Sequence, residues 1–311
     1  MSEKTDSWNN LTTTSTDTGS GGNLRVDVDV KVGILHTVAN AIYATPVGKI
    51  REAVANALDN DATWIVILAD RITKTLCIYD NGHGITVDRF KEIFKSIGYG
   101  LLSTDQKTKL SYFGLGLMSI FQLGDKIKLF TRPRREQEVL VLEVDTNAIF
   151  DPANKDKSIS TLSDYISLNT ADKKLSATSS PPLLDDFLEK NLGGKPQSFT
   201  EILIEEVKSE DLETICHPEF VDELRKALPL RVELNEPFLK QFTGRKGKKI
   251  KALLKSEKFC PTINVYFDVR GESSIDDTEG EIRQLWKYFP RFRSDLEFPD
   301  ANLLLHNPNS L

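Results

Sequence analysis

The sequence predicts an α+β fold in which helices cover one face of a mixed β-sheet. Three observations carry that expectation. Short apolar runs of strand length recur along the 311 residues. Two of them are joined by only three residues, as antiparallel neighbours allow. Between the runs stand segments whose apolar residues return every three or four positions, the helical period.

Taken in order, residues 1–23, "MSEKTDSWNNLTTTSTDTGSGGN", form a polar Ser/Thr/Gly tail, expected to be disordered and lacking the apolar core of a signal peptide. "LRVDVDVKV" alternates like a short strand. "GILHTVANAIYA" and "PVGKIREAVANALDNDA" read as helices, the second starting near Pro46. "TWIVILAD" (63–70) and "KTLCIYD" (74–80) make a strand pair across "RIT". The next stretch, "DNGHGI" (80–85), contains Asn-Gly, a strong hairpin signal. A second strand does not follow it. "TVDRFKEIFKSIG" instead carries Val87, Phe90, Ile93, Phe94 and Ile97 at helical spacing, with Thr86 as N-cap and Asp88 in the first turn. The reading is therefore strand, glycine turn, helix.

A glycine- and polar-rich loop (98–114) leads to a helical segment, "LGLMSIFQLG", and to two strands, "DKIKLFTR" and "EVLVLEVD". Residues 151–198, rich in Ser, Asp, Lys and Pro, read as an insertion with little regular structure. "FTEILIEEV" (199–207) reads as a last strand and "SEDLETICHPEFVDELRKALP" as one helix, closing a unit that spans residues 24–228. Residues 229–311 read as the start of a second α/β unit with one clear strand, "TINVYFDV".

Composition narrows the function. The net charge of −6 and pI near 5.4 give no global basic field for nucleic acid, although a local basic patch remains open. Cys77, Cys216 and Cys260 lie far apart without CxxC pairing, which fits reduced thiols in a cytoplasmic protein. No apolar run approaches the roughly 20 residues of a membrane span, so no membrane partner is expected.

Three constellations carry chemistry. Glu52, Asn56 and Asp59 fall in one helical stripe between apolar neighbours. A carboxylate and an amide one turn apart can share a hydrated divalent cation and orient a water. Alone, such a stripe is more often a solvated helix face. Asp80, with Gly82 and Gly84, ends a strand on an acceptor beside bare backbone, suited to the exocyclic amine of adenine, or simply to a turn. In "SYFGLGLMSI", Gly114 and Gly116 stand at a helix start, where free N–H groups favour phosphate; close helix packing explains them equally well. The preceding loop holds Ser103, Thr104, Lys107 and Lys109, which can reach phosphate oxygens from a lid.

As one ordered series these motifs are specific. An E-x3-N-x2-D helix, a strand ending in DxGxG, a polar lid, a GxG helix start and a late strand carrying Thr200 resemble the GHKL ATPase superfamily over about residues 36–207. That group includes gyrase-type topoisomerases, ninety-kilodalton heat-shock chaperones, histidine kinases and MutL proteins. The resemblance implies a two-layer ATP-binding sandwich followed by part of a transducer-like domain. It implies ATP and Mg2+ as ligands, with Glu52 as the general base and Asn56 as the metal ligand. It further implies Asp80 as the adenine reader with Gly82 and Gly84 in its turn, Gly114 and Gly116 on the terminal phosphates, and Thr200 beside the adenine.

Glu52 argues against a histidine kinase, and the Arg-Gly-Glu run usual in MutL is absent. "IYATPVGKIREAVANALDN" resembles the chaperones; "SYFGLGLMSIFQLGDKIKLFTR" resembles both them and the Microrchidia ATPases. Two departures stand out. "DNDA" replaces a direct Asp-Ala and is expected to lengthen the helix end, and Phe199 precedes Thr200 where a Gly is common. The implied function is slow ATP hydrolysis that closes a lid and pairs two subunits as a nucleotide-bound homodimer. The rivals are an ATP-gated DNA clamp and a regulator that binds nucleotide without hydrolysing it. "GRKGKKIK" (244–251) and "RPRR" (132–135) read as solvated loops, as nucleic-acid contacts, or, for the former, as a source of a cation for the ATP site; the C-terminal region is also where a protein client would bind.

Overall fold

The computed structural model describes residues 32, 44–96, 116–158, 164–171, 182–230, 242–254, 263–271 and 282–286. The expected strand "LRVDVDVKV" up to Lys31, the helix "GILHTVANAIYA" up to Tyr43, and the loop of residues 98–114 lie outside them; Val32, the last residue of the expected strand, is helical and buried.

The fold is the expected α+β class: one eight-stranded mixed sheet with helices packed on it. Helix α1 (Pro46–Asp59) starts as its sequence dictates. Pro46 fills N1, and the Thr45 hydroxyl accepts from Gly48 N at 3.2 Å. Its end is not the lengthened helix that "DNDA" suggests. Asp61 takes a left-handed φ of +57°, Ala62 N donates to Ala57 O at 2.9 Å, and Asp61 N donates to Leu58 O at 3.0 Å. That is a Schellman stop with Asp in the place usually held by Gly. Strands β1 (Trp64–Asp70) and β2 (Thr75–Asp80) follow as a hairpin. Helix α2 (Val87–Ser96) is capped by Thr86, whose hydroxyl accepts from Arg89 N at 3.2 Å.

Helix α3 (Gly116–Phe121) leads into the β3 (Gly124–Arg132) and β4 (Val139–Asp145) hairpin. Residues 151–198 are more ordered than their composition suggests. After the short α4 (Thr146–Phe150), they supply the edge strand β5 (Ile166–Ala171) and helix α5 (Pro182–Leu192). Strand β6 (Phe199–Val207) lies between β3 and β2. The single helix expected after it is two, α6 (Ser209–Ile215) and α7 (Phe220–Ala227), because Pro218 has no N–H to continue the first.

The basic run at 244–251 is also not a loop: it lies in helix α8 (Gly244–Leu254). Strand β7 (Asn264–Arg270) pairs parallel with β1 along its whole length, and β8 (Arg283–Leu285) pairs with β7. The described strands beyond residue 229 therefore continue the same sheet, in the order β5-β4-β3-β6-β2-β1-β7-β8.

Side chains alternate across this sheet. Ile65, Ile67, Leu76, Ile78, Ile127, Leu129, Ile202 and Ile204 face one core with α1, α3, α6 and α7. Val66, Cys77, Tyr79, Phe130, Phe199 and Leu203 face the other, where Leu184, Phe187 and Leu188 of α5 cover them. Helices thus lie on both faces, with the larger layer on the first.

Candidate functional site

The alternation that buries Leu76 and Ile78 on the first face puts Asp80 there too, at the end of β2. Register then builds a row. Asp80 is paired with Thr200 on β6, and Thr200 with Thr131 on β3. All three side chains are buried.

The "DNGHGI" turn is tied down on three sides. Asn81 Oδ1 accepts from Thr63 N and Trp64 N at 2.9 and 3.0 Å, holding the turn to β1. His83 N donates to Asn60 O at 2.9 Å, at the end of α1. Ile85 N donates to Thr131 Oγ1 at 2.8 Å, and that hydroxyl donates to Phe199 O at 2.9 Å. Both glycines are required by space. A Cβ on Gly82 would stand 2.8 Å from Asn60 O and 2.9 Å from Asp80 Oδ1. Gly84 has φ +71°, and its Cβ would run into the Arg132 carbonyl.

Within this frame Asp80 Oδ1 accepts from Gly82 N at 2.8 Å, while Oδ2 takes no hydrogen bond among the described residues. Burial pushes the carboxyl up to about 7, against the pull of the Gly82 N–H. The result is a buried acceptor with one free oxygen at a strand end, held by a bare-backbone turn.

The second group sits on α1. Glu52 is only 4% exposed, so it does not belong to a solvated face; Asn56 and Asp59 are half-buried. The start of α3 lies directly on this group. A Cβ on Gly116 would stand 2.9 Å from Glu52 Oε2 and 3.6 Å from Asn56 Nδ2. Arg51 Nη2 stands 3.8 Å from Glu52 Oε1. Among the described residues no three His, Cys, Asp or Glu side chains form a protein-only metal cage. A carboxylate and an amide oxygen suit a hard cation that takes its remaining ligands from phosphate and water.

One turn before Glu52, Lys49 is buried against Asp211 of α6, with Nζ and Oδ2 3.5 Å apart. Burial lowers the Lys49 pKa, and the Asp211 charge opposes that shift. This pair anchors α1 to the helix behind it.

The structure thus gathers Asp80, Gly82, Gly84 and Thr200 at the strand ends, and Glu52, Asn56 and Gly116 at the α1–α3 contact. The Asn60–His83 bond ties the two groups together at the end of α1. Ser103, Thr104, Lys107, Lys109 and Gly114 lie outside the described residues. Phe199 does not obstruct Thr200, because it faces the other side of the sheet and stacks on Tyr79. Sequence reading missed Thr131 and Asn60. The signal for Thr131 was its place near the end of "DKIKLFTR", opposite the start of β6. The arginines of "RPRR" are partly used: Arg132 donates to the Pro196 and Gln197 carbonyls, and Arg134 N donates to His83 O at 2.8 Å.

Residues 44–178 match the family described as histidine kinase-, DNA gyrase B-, and HSP90-like ATPase. The chain is also similar to the TNF receptor-associated protein 1 homolog, mitochondrial, of Dictyostelium discoideum. The two are 32% identical over 127 residues, covering 32% of this chain and 18% of that protein. This chain therefore spans less than a fifth of the relative it matches.

Proposed function

We propose that this chain, which carries a GHKL-superfamily ATPase domain, binds ATP with Mg2+ and hydrolyses it slowly to drive a chaperone-like conformational cycle. The observation that carries the reading is Asp80: a buried carboxylate with one oxygen lacking a donor, where an adenine amine supplies the missing N–H. Gly82 and Gly84 leave room for the ring, and Thr200 stands beside it in register. Asn56 holds Mg2+ with the nucleotide phosphates, and Glu52 orients and deprotonates the attacking water. Gly116, with Gly114, Ser103 and Lys107, contacts the phosphates.

The loop that carries Ser103 and Lys107 closes over the nucleotide, and the ATP-bound form pairs with a second copy, which sedimentation with and without an ATP analogue tests. Among the described residues no helix is long and apolar enough to cross a membrane. The free thiols of Cys77 and Cys216 support a reducing, cytoplasmic setting.

Analogue binding and phosphate release, measured with Mg2+ and with chelator, test the site. Asp80→Asn is expected to weaken binding by about 100-fold, the scale of a lost charge-assisted hydrogen bond inside the protein. Glu52→Ala is expected to bind the analogue nearly as the parent does and to release no phosphate. A parent chain that binds no nucleotide, or an Asp80→Asn chain that binds it unchanged, would sink the proposal.

A further inference from the structure

Helix α8 lies outside the segment matched to the ATPase family and holds none of the site residues described above. It carries Arg245, Lys246, Lys248, Lys249 and Lys251 and no acidic residue, on a chain whose net charge is −6. The first four are exposed and Lys251 is half-buried, and none of the five makes an ion pair among the described residues.

At 3.6 residues per turn the five cations sweep roughly 220° of the helix circumference, interrupted only by Gly244, Ala252 and Leu253. The remaining arc holds Gly247, Ile250 and Leu254. Gly247 is buried, and a Cβ there would run into the Phe242 backbone. Buried Gly247 and half-buried Ile250 thus mark the covered side of the helix, and the cations lie on the opposite, convex side.

Such a ridge selects its partner by shape. An acidic peptide lying against one side would meet two or three of the five cations. A membrane surface, being flat, would likewise meet one side of the helix and leave the cations of the other flank unused. A groove with phosphates on both walls meets cations on both flanks at once. The major groove of B-form DNA, about 12 Å wide, admits a helix, whereas that of A-form RNA is too narrow. Eleven residues span about 16 Å, close to five base pairs.

We propose that α8 is a docking surface for duplex DNA, lying in the major groove with its cations on the phosphates of both strands. The contact is to backbone and carries no sequence preference. It is independent of the nucleotide reading.

The test uses the full 311-residue chain. Anisotropy of labelled duplexes of about 20 base pairs, in two unrelated sequences, is followed from about 50 to 200 mM salt. Five phosphate contacts predict a log–log slope of about −4.5, equal for both sequences. Replacing Lys246, Lys248 and Lys249 by Gln together should flatten the slope by about 2.7 and weaken binding at low salt. Gln is a good helix former, so circular dichroism should not change. Lys155→Gln with Lys190→Gln, two exposed lysines elsewhere, should leave binding as it was. An RNA duplex of the same sequence should bind at least about tenfold more weakly. A parent slope shallower than about −2, parent-like binding by the folded triple variant, or tighter binding to phosphatidylserine vesicles than to DNA would each overturn the proposal.

Discussion

Tyr79 and Asp80 are neighbours in one strand and belong to opposite faces of the sheet. Behind the site, on the second face, Trp64, Tyr79 and Phe199 stack with ring centroids 5.7 and 5.3 Å apart, and Arg132 caps the stack 5.4 Å from the Phe199 ring. On the first face the residues beside them in the chain are Ile65, Asp80, Thr200 and Thr131, the row that holds the free carboxylate oxygen. Each member of the row is thus bonded along the chain to a member of the stack, across the same four strands. The two faces divide the work. One is filled with rings that fix the backbone, and the other leaves a polar edge with a free carboxylate oxygen. On the proposed reading, such a site is positioned by residues that never touch its ligand.

Breaking the second face should therefore cost stability before it costs binding. Leu188 of α5 is fully buried against that face, on the side of the sheet opposite Asp80 and Thr200. Leu188→Ala is expected to lower the free energy of unfolding by about 2–5 kcal/mol. The nucleotide affinity of the folded fraction should stay within a factor of about two. Urea titrations with and without an ATP analogue separate the two effects. Lost affinity at unchanged stability would mean that α5 belongs to the site.

The first face answers to pH. The folded Asp80 carboxyl titrates at about 7 against an ordinary 3.8, so between those values the folded chain keeps a proton that the unfolded chain has released. For this group stability falls as pH rises through that window and is level above it. Nucleotide binding runs the other way, because an N–H donor favours the ionised carboxylate. Affinity should be level above pH 7 and fall by up to about tenfold per unit below it. Titration of a fluorescent analogue at several pH values measures this, and an unchanged affinity down to pH 5.5 would remove Asp80 from the contact.

Much of this site was legible because its signals are local. A strand ending on Asp80, glycines at 82 and 84, and Glu52 with Asn56 on one helical stripe can each be read within a dozen residues. The second face was not read. Its cover, α5, does announce itself in "PLLDDFLEKNL", with Leu183, Leu184, Phe187 and Leu188 at helical spacing behind a Pro at the first position. The Ser- and Lys-rich surroundings hid it. The parallel pairing of β7 with β1 joins residues about 200 positions apart, and no local pattern in either strand reports its partner. The break at Pro218 was readable from the proline alone.

The smallest expected effect is the sharpest test of the division between faces. The Tyr79 hydroxyl is buried with no hydrogen-bond partner among the described residues, and burial, aided by the Glu201 charge, pushes its pKa upward. The ring is needed for the stack, and the oxygen makes no bond. Tyr79→Phe keeps the stacking and removes a buried polar atom, so unfolding should be unchanged or more costly by up to about 1 kcal/mol. In a thermal melt that amounts to a rise of no more than about 4 °C. Asp80, the next residue, is expected to show the reverse pattern, with a large loss of binding on a substitution that keeps its shape. If Tyr79→Phe weakens nucleotide binding more than about twofold, the stack does more than hold the row in place, and the two faces are coupled through the β2 backbone.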